Sequence, residues 1–233
     1  MTEGHIDKAS ARRSFDRAAP GYDAAAVLQR EIGNRLLERL DYVRLTPRTI
    51  LDLGCGTGQA VASLMRRYPK ARLLALDFAP AMLRLARRRG TWLKRPWCVC
   101  ADAETLPLAG QSVDLIVSNA TLQWCNDLDG TFREWLRVLR PGGRAVVSAM
   151  HPAMFLKGVQ ARFTDPASGE KVQPGSFAHS IGEFVMAAVR AGFAIEGVDE
   201  RAPDADFAAR LPRAEKYVDW PMLVVLKLRA ESA

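Results

Sequence analysis

The sequence contains no uninterrupted apolar run near the roughly 18 residues that a membrane-spanning helix requires. Its opening residues, MTEGHIDK, lack the apolar stretch of a secretory signal. No segment is low in complexity, and no repeat with a period of about 20–50 residues is visible. These absences argue against repeat and fibrous classes, and we expect a cytoplasmic globular protein that does not act with a membrane.

Cysteine and histidine are both scarce, and neither is spaced for metal binding. The four cysteines form no CxxC pair, and none of the three histidines lies within five residues of a cysteine. Structural zinc sites are built from such closely spaced ligands. We therefore expect no metal site and no disulfide framework.

Charge is unevenly distributed along the 233 residues, whose net charge is +7. Residues 1–100 contain 19 Lys and Arg against 9 Asp and Glu, whereas residues 101–233 contain 14 against 17. A positive first half can attract an acidic carrier protein, an anionic metabolite or nucleic acid, or its arginines can form solvated helix faces. We find no interleaved aromatic and basic residues typical of RNA-binding surfaces, so we do not expect a nucleic-acid partner.

No linker divides the chain, so we expect a single domain, 1–233, which begins with an N-terminal helical cap at 1–45. Apolar residues recur every four positions from Leu28 to Leu40 and form one stripe. Pro20 and Gly21 interrupt the stretch before them. This pattern predicts a short helix, a turn and then a long helix.

Between residues 46 and 150, short apolar runs alternate with amphipathic stretches. Strands are predicted at 50–53, 73–76, 97–100, 113–117 and 145–147, and helices at 59–68, 80–89 and 131–139. Strands that alternate with helices of this length form βαβ units. We therefore expect an α/β fold with a mostly parallel sheet and helices on both of its faces.

After residue 150 the pattern becomes irregular. Prolines and glycines interrupt 151–177 six times, which predicts a loop or lid. A helix at 181–191, a strand at 193–198 and a last strand at 222–226 resume the pattern, and 200–221 forms a second irregular segment. We interpret 151–177 and 200–221 as substrate lid insertions.

The most informative segment is LDLGCGTG at 51–58, in which a buried strand runs into a glycine-dense turn. Glycine adopts positive φ angles and lets a ligand approach the main chain, and the following helix offers free N–H groups. Asp77 ends the next predicted strand, where a carboxylate can accept hydrogen bonds from both hydroxyls of a ribose. Together these features predict a nucleoside-containing cofactor.

Residues after the neighbouring strands extend this predicted pocket. Asp102 follows the third strand and is placed to accept a hydrogen bond from an adenine amino group. Phe78 and Met82 are placed to flank the adenine ring. Asn119 ends the fourth strand and is expected to face the same crevice, because the carboxyl ends of parallel strands meet at one edge.

Five segments resemble motifs of the class I S-adenosylmethionine methyltransferases: LDLGCGTG, LDFAPAMLRLAR, CADAETLPL, SVDLIVSN and LRVLRPGG. The resemblance implies a Rossmann-like sheet of seven strands, the last one antiparallel. It implies S-adenosyl-L-methionine (SAM) as cofactor and S-adenosyl-L-homocysteine (SAH) as product. Gly54 and Gly56 would line the methionyl part, Asp77 would bind the ribose, and Asp102 with Ala103 would bind the adenine. Asp52 would either bind the amino group of SAM or support the loop.

A closer resemblance covers residues 12–150. The segments RSFDRAAPGYD and SNATLQWC are similar to those of the malonyl-acyl-carrier-protein O-methyltransferases of biotin synthesis. This resemblance implies that Tyr22 closes over the cofactor and that Gln123 and Trp124 lie near the methyl-transfer site, with core packing as the alternative for Trp124. It fades where the predicted lid insertions begin.

The implied reaction transfers a methyl group to a small-molecule or carrier-protein-bound acceptor, most directly a carboxylate. A carboxylate, with a pKa near ~4, needs no general base, only a cation such as Arg162 or Lys157 to hold it. A phenol or alcohol needs a base, and His151 is placed for that role unless it only bonds to its own loop. The alternatives are an O- or N-methyltransferase of another small metabolite that uses His151, and a non-catalytic SAM-binding assembly factor.

Overall fold

The computed structural model describes residues 5–42, 45–91, 94–160, 163–164, 169, 171–172 and 175–231. The chain begins with three helices, α1 (Lys8–Ala18), α2 (Tyr22–Ala25) and α3 (Val27–Arg39). The side chain of Asp7 caps α1 by accepting hydrogen bonds from two backbone N–H groups of its first turn. Pro20 lies in a 3-10 turn between α1 and α2, and the predicted short helix, turn and long helix are confirmed.

One seven-stranded sheet forms the centre of the fold. Its strands are β1 (Thr49–Leu53), β2 (Arg72–Asp77), β3 (Trp97–Cys100), β4 (Val113–Asn119), β5 (Leu139–Met150), β8 (Phe193–Arg201) and β9 (Leu223–Ala230). The short strands β6 (Phe163–Thr164) and β7 (Lys171–Val172) form a separate hairpin. The sheet order is β3-β2-β1-β4-β5-β9-β8, and within this sheet β9 alone runs in the direction opposite to the other six strands. The expected mostly parallel sheet with an antiparallel last strand is confirmed.

Helices cover both faces of this sheet, as predicted. The remaining helices are α4 (Val61–Arg67), α5 (Pro80–Ala86), α6 (Leu128–Val138), α7 (Pro152–Leu156), α8 (Ile181–Ala191) and α9 (Ala205–Arg210). Apolar residues of α3 and α4 pack on one face, and those of α6 and α8 pack on the other. Ile32, Leu36 and Leu40 of the predicted stripe are buried, whereas the side chain of Leu28 lies outside the described residues.

The start of β5 differs from the expectation. The sequence predicts the fifth strand at 145–147, but β5 already begins at Leu139. Leu139 pairs with Val113, and pairing resumes only at Arg144, so the intervening residues form an irregularity inside the strand. Gly142 accommodates it with a φ of 76°, which a residue with a Cβ rarely adopts.

The described residues after β5 include regular structure that the sequence does not predict. His151 caps α7, and Pro152 occupies the first helical position, where its missing N–H costs nothing. The strand β8 continues to Arg201, so the second insertion begins after it and contains α9. Lys157 Nζ lies 4.0 Å from the ring centroid of Trp220, so the two insertions contact each other. Their role as substrate lids stays a prediction.

Within the described part of the chain, no helix combines the length and the apolar character that crossing a bilayer demands. The same residues contain no group of three or more His, Cys, Asp or Glu arranged to hold a metal ion. All four cysteines are free thiols.

Candidate active site

A glycine loop at the carboxyl end of β1 forms the floor of the main pocket. Gly54, Gly56 and Gly58 have φ angles of 70°, 53° and 78°. A Cβ on Gly54 would lie 2.0 Å from Thr121 Oγ1, and one on Gly58 would lie 2.7 Å from the Cα of Ala86. A Cβ on Gly56 would meet nothing within 4 Å. Gly54 and Gly58 thus permit close packing within the protein, whereas the main chain of Gly56 faces open space.

Asp77 lies beside this loop at the end of β2. Its Oδ2 accepts a hydrogen bond from the backbone N–H of Gly56 at 2.8 Å, and its Oδ1 accepts one from Ala79 at 2.9 Å. Burial raises the pKa of Asp77 to about 6, although these backbone N–H groups oppose the shift. A carboxylate has about four lone-pair positions, so Asp77 can accept further hydrogen bonds from a ligand.

Asp52 lies in β1 and contributes a second buried carboxyl group to the pocket. Its Oδ2 has no hydrogen-bond partner among the described residues. Burial first, and the negative charge of Asp77 second, raise the pKa of Asp52 to about 7. A buried, unpaired carboxylate oxygen is costly, so this position favours a ligand that brings a donor or a positive charge.

The opposite end of the pocket is formed by residues that follow β3. Asp102 Oδ1 accepts a hydrogen bond from Lys8 Nζ at 3.0 Å, and Lys8 also pairs with Glu104 at 2.7 Å. The indole N–H of Trp135 in α6 donates to the carbonyl of Ala103 at 3.1 Å. Helices from two distant parts of the chain therefore hold this loop in place.

The N-terminal helices cover the pocket with aromatic residues. The ring centroid of Phe15 lies 5.5 Å from that of Phe78 and 5.0 Å from that of Trp124. Tyr22 also lines the pocket. Burial of its hydroxyl, and then the charges of Asp77 and Asp23, raise the pKa of Tyr22 to about 12. The phenol therefore keeps its proton at neutral pH.

Asn119 connects the cap to the sheet. Its Nδ2 donates to the carbonyl of Gln29 in α3 at 2.9 Å, and its Oδ1 accepts from the hydroxyl of Ser148 in β5 at 2.7 Å. The side chain lines the pocket while its amide groups hold α3 over the ends of β4 and β5.

The structure brings together in this one pocket every residue that the sequence predicts for cofactor binding, and Trp124 with them. They are Tyr22, Asp52, Gly54, Gly56, Asp77, Phe78, Met82, Asp102, Ala103, Asn119 and Trp124. Their individual roles remain predictions.

Two other predicted residues lie outside the described lining of the pocket. Gln123 is buried beside it, and its backbone carbonyl accepts a hydrogen bond from Phe177 at 2.9 Å. His151 Nδ1 accepts from the backbone N–H of Ala153 at 3.0 Å, and its Nε2 lies 3.7 Å from Glu200. Arg162 is outside the residues that the structure describes.

Apart from Tyr22, sequence reasoning missed the pocket residues that the cap supplies. Among them are Lys8, Phe15, Gln29, Arg30 and Asn34. An apolar stripe identifies which helix face is buried but not which loop the helix covers. The one available signal was the segment RSFDRAAPGYD, which contains Phe15 and resembles the same family as the pocket motifs.

Comparison with known proteins identifies the family. The profile described as a methyltransferase domain matches residues 51–147. A malonyl-[acyl-carrier protein] O-methyltransferase of Halorhodospira halophila is 46% identical over 185 residues, which are 78% of this chain and 62% of the relative. The enzyme of the same name from Gallionella capsiferriformans is 42% identical over 200 residues, which are 83% of this chain and 68% of the relative. The chain thus spans less than two thirds of the first of these relatives.

Solved structures agree with this relationship. An S-adenosylmethionine dependent methyltransferase from Mesorhizobium loti is 27% identical, with a TM-score of 0.64 over 79% of this chain and 91% of that one. A putative methyltransferase of Haloferax volcanii, solved with its Trm112 activator, shares the fold at 20% identity, with a TM-score of 0.70 over 98% and 100% of the two chains. The motifs, the fold and the sequence identities together show that the chain belongs to the malonyl-[acyl-carrier protein] O-methyltransferase family of SAM-dependent methyltransferases.

Proposed function

We propose that the protein transfers the methyl group of SAM to the free carboxylate of a malonyl thioester on an acyl carrier protein. The products are SAH and a methyl ester, and the reaction serves biotin biosynthesis. Relatives that are 39–48% identical carry the corresponding name. The free thiols of the chain suit the reducing cytoplasm in which we place this reaction.

The pocket fits SAM at each of its chemical parts. The open space at Gly56 admits the cofactor to the main chain, and Asp77 retains lone pairs for the two ribose hydroxyls. The unpaired Oδ2 of Asp52 suits the ammonium group of the methionyl part, which favours the ligand role over loop support. Asp102 and Phe78 line the same pocket, and we assign them to the adenine. When bound, SAM supplies an electrophilic methyl group on a sulfonium.

The observation that carries the choice of acceptor is the lack of a general base in the described lining of the pocket. No histidine contributes to that lining, and Tyr22 holds its proton at neutral pH. The carboxyl groups of Asp52, Asp77 and Asp102 are engaged by the cofactor in this proposal. An acceptor must then arrive already nucleophilic, and a carboxylate with a pKa near ~4 does so. Catalysis requires only in-line positioning near ~3–3.5 Å and exclusion of water.

Arg30 is the cation that we assign to the acceptor carboxylate. The described lining contains two basic side chains, Lys8 and Arg30. Lys8 is neutralised by Asp102 and Glu104, whereas Arg30 forms no ion pair with a carboxylate among the described residues. An arginine can bind a carboxylate through two parallel hydrogen bonds, which fixes its orientation. Arg30 thus takes the role that the sequence suggested for Arg162 or Lys157.

The charge of the surface supports a carrier protein as partner. Residues 61–97 contain ten Lys and Arg but only one acidic residue, Asp77, which is buried. Arg84, Arg87 and Arg88 are exposed, and none pairs with a carboxylate in the described structure. Such an excess of exposed basic side chains favours association with an acidic protein surface over a neutral one.

A methyl-transfer assay tests the proposal. The protein is incubated with SAM and, in parallel, with malonyl-acyl carrier protein, with malonate and with a panel of phenols and amines, and methylation is followed by mass spectrometry. We expect one added methyl group on the carrier-bound malonyl group and a much slower reaction of free malonate. Methylation of a phenol or amine alone would support the metabolite alternative. Tight SAM binding with no methylated acceptor would support a non-catalytic assembly factor.

Replacing His151 with alanine separates these alternatives. We expect the rate of carboxylate methylation to stay within about twofold of the original, because the imidazole caps α7 and lies outside the described pocket lining. We expect the free energy of unfolding to fall by roughly 0.5–2 kcal/mol through loss of the cap. Steady-state rates and thermal unfolding measure the two effects. A rate loss of about 10²–10⁴ would instead identify His151 as a general base.

SAM affinity is expected to depend on pH. The ammonium and ribose hydroxyls of SAM favour ionised carboxylates, whereas in the free protein the pKa values of Asp52 and Asp77 are raised to about 7 and about 6. The affinity for SAM is therefore highest above these two pKa values. It falls as the pH drops through them, by up to about tenfold per pH unit for each carboxyl group. Calorimetry from acid to alkaline pH measures it, and Asp52→Asn should remove the upper step. A constant affinity across this range would contradict the assignment.

A further inference from the structure

Asp23 connects the N-terminal cap to the glycine loop through several polar contacts. Its Oδ1 accepts hydrogen bonds from Thr57 Oγ1 at 2.5 Å and from Gln59 Nε2 at 3.0 Å, and its Oδ2 pairs with Arg89 Nη2. Arg89 also donates from Nε to the carbonyl of Thr57 at 3.2 Å. Burial raises the pKa of the Asp23 carboxyl, but these donors outweigh that effect and leave it below its usual value. The carboxylate is therefore charged whenever the protein is near neutral pH.

The contacts of Asp23 connect two parts of the pocket lining. Asp23 follows Tyr22, which lines the pocket, and Thr57 belongs to the loop that forms the pocket floor. The helix α2 has only four residues, and it is followed by Ala26 in a non-helical conformation. Tyr22 of this helix is partly buried and packs against the apolar cluster that contains Ala79 and Met82. The hydrogen bonds of Asp23 add a polar attachment of α2 to the glycine loop.

We propose that Asp23 is a positioning residue that latches the cap over the cofactor pocket and thereby sets the rate at which SAM enters and SAH leaves. This inference rests on the proposed function only in requiring SAM as the ligand. Phe15 and Tyr22 both line the pocket, and their ring centroids lie 6.3 Å apart, so we expect a bound cofactor to leave more readily when this part of the cap lifts. Lifting α2 breaks the contacts of Asp23 with Thr57, Gln59 and Arg89 together.

Stopped-flow measurement of SAH release tests the latch, with the change in tryptophan fluorescence, to which Trp124 in the pocket contributes, as the signal. In Asp23→Ala we expect release to be about tenfold faster or more, since three charge-assisted contacts are lost at once. The KM for SAM should rise by a similar factor. The rate of methyl transfer in a single turnover at saturating SAM should stay unchanged, a separation that general misfolding would not produce. Asp23→Asn, which keeps the shape but not the charge, should give an intermediate rate.

Asp41→Ala is the matched control. Asp41 also belongs to the cap, and it pairs with Arg67 at the end of α4. Neither of these two residues lines the pocket. We expect SAH release from Asp41→Ala to match that of the unaltered protein. Hydrogen exchange without ligand provides a second readout, and residues 22–26 should exchange faster in Asp23→Ala alone.

Two results would overturn the latch. One is an unchanged release rate in Asp23→Ala, and the other is an equal acceleration in Asp41→Ala. Either result would leave SAM binding and methyl transfer, and hence the proposed function, intact. A failure of the unaltered protein to bind SAH would instead overturn the proposed function and the latch together.

Discussion

Replacing Asp77 with alanine is expected to weaken SAM binding by about 1–3 kcal/mol, which corresponds to a Kd roughly 5–150 times higher. The variant loses the acceptor for the ribose hydroxyls. It also leaves the backbone N–H groups of Gly56 and Ala79 without the carboxylate that orients them, so the glycine loop loses its fixed shape. Calorimetric titration with SAM and with SAH measures the effect, and both ligands should be affected because both contain the ribose.

Asp114→Ala is the control for this variant. Like Asp77, Asp114 accepts hydrogen bonds from two backbone N–H groups, those of Arg48 at 2.8 Å and Thr49 at 2.7 Å. These contacts lie at the amino end of β1, far from the loop that follows its carboxyl end. We expect lower stability but unchanged SAM affinity. Equal affinities in the Asp77 variant and the unaltered protein would refute the ribose role.

Gly58→Ala is expected to lower the free energy of unfolding by about 2–5 kcal/mol. The new Cβ would lie 2.7 Å from the Cα and 2.8 Å from the Cβ of Ala86, so α5 would have to move away from the glycine loop. Overpacking of this kind costs about 1–3 kcal/mol, and a left-handed backbone with a Cβ costs roughly 1–2 kcal/mol more. Denaturant unfolding followed by circular dichroism measures the loss.

Gly56→Ala separates these two contributions. Its φ of 53° has the same sign, but its Cβ would meet no atom within 4 Å. We expect only the backbone cost of roughly 1–2 kcal/mol in stability, together with reduced SAM affinity because the methyl group enters the pocket. If Gly58→Ala proved no less stable than Gly56→Ala, the close packing of Gly58 against α5 would not be the reason for glycine at that position.

The cofactor end of the site could be predicted from sequence because its residues lie in short segments directly after strands. Parallel strands bring their carboxyl ends to one edge, so a pattern that locates β1, β2, β3 and β4 also places Gly54, Asp77, Asp102 and Asn119 close together. This part of the prediction required no knowledge of long-range packing beyond the order of the sheet.

The contacts of the cap could not be predicted in the same way. Lys8 bonds to Asp102, which is 94 residues away, and Asp23 bonds to Thr57, which is 34 residues away. Such pairs depend on where a helix docks, and an apolar stripe specifies only the face that is buried.

Side-chain direction set a second limit on prediction. His151 follows β5 as expected, but its imidazole turns back to cap its own helix. Gln123 and Trp124 are neighbours in one 3-10 turn, yet only Trp124 belongs to the described lining of the pocket. Position along the chain predicts which edge of the sheet a residue reaches but not which way its side chain points.

A crystal structure of the protein with SAH tests the central claim most directly. We expect the ribose hydroxyls within hydrogen-bonding distance of Asp77, the amino group beside the unpaired Oδ2 of Asp52, and the adenine between Phe78 and the Asp102–Ala103 loop. SAH bound at another surface, or a pocket in which these carboxylates face no part of the ligand, would contradict it.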